Sequence, residues 1–71
     1  MSKISIKLDK DNLQAVSDVF GEPKRILKRQ LKADKKKGIH PSVVIYELPE
    51  GQDAVMAGLL FHSRMAELKG E

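Results

Sequence analysis

Eight of the chain's thirteen Lys and Arg residues fall between positions 24 and 37, against one acid, Asp34, so this segment carries a formal +7. The other 57 residues hold five bases and nine acids, a formal −4. The total of +3 therefore hides a strongly polarised molecule. Positive charge gathered this densely suits a polyanionic or acidic partner. Lys and Arg on adjacent turns can each meet a phosphate and release its counterions, which gives salt-dependent, sequence-tolerant binding. Only two of the cations that share a helix face below are Arg, which favours loose phosphate contact over bidentate reading of bases. No aromatic residue lies within the stretch to stack on a base.

Catalytic and metal chemistry are poorly provided for. His40 and His62 are the two histidines, expected in an exposed loop and at the edge of the core, and there is no cysteine, so neither a thiolate metal site nor a disulfide is available. Ser63 follows His62, but adjacent helical positions point in different directions, and no third group stands ready to orient them. Single scattered glycines make no phosphate-cradling loop, and no carboxylate pair suggests acid–base work. The expectation is a protein that is not an enzyme and carries no cofactor or metal.

The elements that must position the cations follow from periodicity. Ile4, Ile6 and Leu8 alternate with Lys3, Ser5 and Lys7, the period of a half-buried strand. Asp9 or Asp11 can cap a helix by accepting backbone N–H bonds. Leu13, Val16 and Phe20 then recur at helical spacing, and Gly21 is a natural stop. Pro23 suits the first position of a second helix, where its missing N–H costs nothing. That basic helix is expected over about residues 23–37, closed by Gly38 and Pro41. Residues 43–48, VVIYEL, read as a largely buried strand. Pro49-Glu50-Gly51 is a turn, and Asp53, or less well Gln52, opens a C-terminal helix over about residues 53–68. The fold class is α+β: one small domain over residues 1–71, order β-α-α-β-α, with a minimal two-stranded sheet packed on helices.

At 100° per residue, with Ile26 at zero, Lys24, Arg25, Lys28, Arg29, Lys32, Lys35 and Lys36 all fall between about 160° and 300°. Ile26, Leu27 and Leu31 fall between 0° and about 140°, and are expected to hold the helix to the core. The seven cations then line a face about 18 Å long, from the 1.5 Å rise per residue. A solvated lysine face would need interleaved acids for i to i+4 pairing, and only Asp34 is present.

The opening segment KISIKLDKDNLQAVSDVFG, followed by a second helix, resembles the start of ribbon-helix-helix DNA-binding proteins. The resemblance covers about half of the chain. It implies an N-terminal strand paired with its copy in a dimer, with Lys3, Ser5 and Lys7 turned toward bases and Ile4, Ile6 and Leu8 toward the core. Two features depart from it: the second helix is mostly cationic, and another strand and helix follow.

In the C-terminal helix, Ala57, Leu68, Phe61, Ala54 and Met65 share one face. Val55 and Leu59 lie on a second, and Met56 and Leu60 elsewhere. A single small domain rarely covers every side of such a helix, so Val55, Met56, Leu59 and Leu60 are candidates for a protein interface, a homodimer included. At 71 residues the chain buries only about 60% of its unfolded surface, so association would help to stabilise it. No stretch approaches the roughly 20 apolar residues of a membrane span, and the N-terminus lacks a signal-peptide run; a cytoplasmic location with no membrane partner is expected.

The functional expectation is a small regulatory protein that engages DNA or RNA through its basic helix, in transcription regulation. A different class competes with it: a docking regulator of the phage or mobile-element type, bound to a subunit of the transcription machinery such as RNA polymerase. There the cations would steer the chain toward an acidic protein surface and the apolar helix would anchor it.

Overall fold

The computed structural model describes residues 2–70. Strand β1 (Lys3–Leu8) is followed by helices α1 (Leu13–Phe20) and α2 (Lys24–Lys36), strand β2 (Ser42–Glu47) and helix α3 (Ala54–Leu68). The order β-α-α-β-α is as the periodicity predicts. The two strands pair antiparallel, from Lys3 opposite Glu47 to Leu8 opposite Ser42. Alternation then sends Ile4, Ile6, Leu8, Val44 and Tyr46 to the inner face. Lys3, Ser5, Lys7, Val43, Ile45 and Glu47 face outward and are exposed.

That outward set corrects the expectation of a largely buried second strand. Ile45 is 64% exposed and Val43 45%. A buried strand needs cover on both faces, and all the helices lie on one. The strand also begins one residue earlier than expected, and Leu48 follows it, buried, with its N–H donated to Ser2 O at 2.9 Å. The inner face meets Leu13 and Val16 of α1 and Leu27 of α2 in one core cluster, with Phe20, Leu31 and Phe61 at its margin. Because β1 pairs with β2 of its own chain, the strand that a ribbon-helix-helix arrangement would share between two chains is engaged within one.

The turn into α1 is held by reciprocal side-chain bonds. Asp9 Oδ1 accepts from the N–H groups of Asp11 and Asn12, at 2.8 and 3.0 Å. Asn12 Oδ1 accepts from Asp9 N–H at 2.9 Å, and its Nδ2 donates to Lys7 O at 2.6 Å. Asp9 is thus the acid that satisfies the turn, in the manner of a capping box, while Asn12 occupies the N-cap position. Asn12 is buried, which a hydrogen bond at each end of its amide makes tolerable. At α2, Pro23 stands at the N-cap and not at the first helical position, with its carbonyl accepting from Ile26 and Leu27. Its extended ψ of 132° ends the preceding turn before the helix begins at Lys24.

Helix α3 starts at Asp53, whose Oδ1 accepts from Met56 N–H at 2.9 Å. It lies along α1 and β1, burying Ala57 and half-burying Phe61 and Met65, whereas Ala54 and Leu68 are exposed. His62, expected at the edge of the core, is exposed beside Phe61. Arg64 takes a place on the packed side instead, with Nε 2.8 Å from Asp18 Oδ2 on α1. Phe20 and Tyr46 stack with ring centroids 4.6 Å apart. Burial pushes the Tyr46 phenol above its ordinary pKa and nearby Glu22 adds to this; its hydroxyl finds no hydrogen-bond partner among the described residues.

Two outcomes follow from these contacts. Asn12→Ala strands Asp9 N–H and Lys7 O, so urea denaturation should show a loss of about 1–3 kcal/mol. Hydrogen bonds from Arg64, then Gln14, hold the Asp18 carboxyl below its ordinary 3.8. A depressed folded-state pKa adds stability that is present above the unfolded value and is lost as pH falls through the folded one. Arg64→Met should therefore return the Asp18 titration, followed by NMR, toward 3.8 and flatten the acid limb of the stability profile.

Candidate binding surface

Helix α2 is attached to the domain along a narrow line. Leu27 is 1% exposed, Leu31 is half-buried, and Gln30 Nε2 donates to Val43 O at 3.2 Å on β2. That carbonyl points away from the ladder because Lys7 and Val43 form a non-hydrogen-bonded pair. Ile26 does not join them. It is 41% exposed, because the core is centred on the Leu27 side of the wheel and does not reach round to zero.

With that line fixed, Lys24, Arg25, Lys28, Arg29, Lys32, Lys35 and Lys36 all project into solvent, each exposed. Among the described residues the ion pairs are Arg64 with Asp18 and with Glu67, and neither involves an α2 cation. Lys24 is the one that reaches outward electrically, adding a weak pull on the Asp18 carboxylate. The first turn of α2 contains no acid, so Lys24 and Arg25 sit unfavourably at the positive end of the helix dipole, whereas Lys35 and Lys36 sit favourably at the negative end.

The end of the helix is closed by a Schellman turn. Ile39 N–H donates to Asp34 O at 2.8 Å and Gly38 N–H to Lys35 O at 3.2 Å, with Gly38 in the left-handed region at φ 76°. This turn brings Ile39, 49% exposed, over a cavity of about 750 Å³ between α2 and the end of β1. Leu8, Leu13, Leu31 and Ile39 form its apolar lining, and Lys10, Lys28, Lys32 and Lys35 contribute the cations. The cationic face is therefore two surfaces. Its inner edge, with Lys28, Lys32 and Lys35, borders an apolar hollow; Arg25, Arg29 and Lys36 lie on the outer edge of the wheel.

Neither Lys10 nor Ile39 stood out in the sequence. Lys10 lies between Asp9 and Asp11, where no basic run marks it, and Ile39 reads as loop. Only the meeting of two distant segments puts them beside α2. The apolar candidates of α3 are all at the surface: Val55 is 74% exposed, Met56 47%, Leu59 65% and Leu60 50%. Among the described residues no cluster of potential metal ligands is found, and no helix is long and apolar enough to cross a membrane.

Comparison of the chain with protein-family models, with curated proteins and with solved structures finds no match.

Gly38→Ala tests how the cavity lip is held. A Cβ at this position meets nothing nearby, so the cost is conformational, about 1–2 kcal/mol for an L-residue in the left-handed region, read from the thermal midpoint.

Proposed function

We propose that the protein is a non-enzymatic regulatory binding module that engages the phosphates of DNA or RNA through α2, in transcription regulation. The observation that carries this is the seven-cation face, exposed at every position and without an ion pair among the described residues. Cations left this way repel one another, and a phosphate backbone relieves the repulsion while releasing counterions. The site suits loose contact: five lysines and two arginines, and no aromatic residue on α2. Lys3 and Lys7, exposed on the outer face of the sheet, would add weaker long-range attraction.

A second function rests on a separate observation, the exposed Val55, Met56, Leu59 and Leu60 of α3. These would anchor the module on a subunit of the transcription apparatus, with α2 steering it toward acidic surface or nearby nucleic acid.

Fluorescence anisotropy with a labelled duplex and a labelled single strand separates the two. Nucleic-acid binding should weaken linearly in log–log form with salt, with a slope set by about 0.9 per phosphate neutralised on a duplex. Reversing Lys28, Arg29 and Lys32 to Glu should lower that slope by about 3 and weaken binding by at least about 100-fold. Affinity that stays flat between low and moderate salt would remove the nucleic-acid function. Partners that survive nuclease treatment in a pull-down and are lost with Leu60→Asp would support docking instead.

A further inference from the structure

Two surfaces at opposite ends of the sheet have complementary chemistry. Where Leu8 faces Ser42, the cavity offers the apolar side chains of Leu31 and Ile39 beneath Lys28, Lys32 and Lys35. Its one acid, Asp9, already has Oδ1 engaged by two backbone N–H groups. At the other end, where Lys3 faces Glu47, the chain runs through Glu47, Glu50 and Asp53, all exposed, into the apolar outer face of α3. The molecule thus holds an apolar socket bordered by cations and an apolar helix face headed by carboxylates. No residue of α3 lines the socket. Six-residue strands separate the two ends by roughly 20 Å at 3.3 Å per residue, so the two surfaces can meet only between molecules.

We propose that the socket receives the N-terminal half of α3 from a second copy of this chain. Val55 and Leu59 of one copy lie against Leu31 and Ile39 of the next, and Glu50 and Asp53 approach Lys28, Lys32 and Lys35. A second copy is the occupant that both halves favour, because the same sequence supplies the positive and the negative partner. Each surface also exposes large apolar side chains that its own core leaves uncovered. The contact is head-to-tail, so it builds rings or open chains and not a two-fold dimer. An interface of one short helix face falls below about 1,200 Å² of total buried area, so its dissociation constant should be on the order of micromolar. Its charged rim makes it weaken with salt. Nothing in it depends on nucleic acid, and its test uses protein freed of nucleic acid.

Sedimentation velocity of the full chain should show a mass that rises with concentration from the 7.9 kDa monomer and falls back on adding salt. Ile39→Glu blocks the socket and Leu59→Glu blocks the helix face, both at exposed positions. Each variant should keep the wild-type circular dichroism spectrum and self-associate at least about tenfold more weakly, the equivalent of 1.4 kcal/mol. Mixed in equal amounts, the two should form a heterodimer and stop there, because one retains a working socket and the other a working helix face. A wild-type chain that stays monomeric throughout overturns the proposal. So does a mixture that stays monomeric, or an Ile39→Glu chain that associates as strongly as wild type, which would assign the α3 face to symmetric pairing. If either variant loses its fold, Lys32→Glu and Val55→Lys repeat the same pair of blocks.

Discussion

The structure depends on a shortage of sheet. Two six-residue strands present one small apolar face, and three helices must share it. α1 is best placed, with Leu13, Ala15 and Val16 buried. α2 and α3 each bury a single residue, Leu27 and Ala57. The result is flat, 37 × 33 × 18 Å, with a radius of gyration of 12.4 Å against about 11 Å for a compact chain of this length. In so thin a layer the far sides of α2 and α3 have nothing to pack on. Among the described residues, as many large apolar side chains are exposed as there are apolar residues in the core, nine in each set.

This shortage also explains how α2 tolerates its charge. Burying Leu27 contributes about 1.5–3 kcal/mol, and the Schellman turn satisfies two carbonyls at the helix end. Against these stand repulsion along the cationic face and two cations at the wrong end of the dipole, each costing about 0.3–1 kcal/mol. The balance is narrow, so an anion bound to α2 would act on the stability of the helix as well as on its occupancy. The inner edge of the same face borders an apolar hollow, which joins electrostatic attraction to a place where apolar groups can be removed from water.

Much of the architecture was legible in the residues. The 2.0 and 3.6 periods identify β1 and the helices, Gly21 and Gly38 end helices where left-handed backbone is needed, and Asp53 caps α3 as expected. The exposed apolar positions share a cause. Residue type marks VVIYEL as a buried strand and Ile26 as core, but an apolar type says that a side chain can be buried, not that a partner layer exists to bury it. Pro23 stands one step from its expected position, and of the two acids offered for α1 it is Asp9 that serves, because capping depends on which N–H groups the turn leaves open.

By itself the sequence determined the element order, the gathering of seven cations on one side of α2 and the surplus of apolar surface on α3, since each is a matter of local spacing along one helix or strand. Tertiary structure alone decided which rim of α2 stays in solvent and which borders the cavity. It also brought Lys10 and Ile39 into that site and set the socket and the carboxylate-headed helix at opposite ends of the sheet. These are long-range placements. They follow from antiparallel pairing of β1 with β2 and from the narrow line on which Leu27 and Leu31 seat the helix, and no pattern within a single segment encodes them.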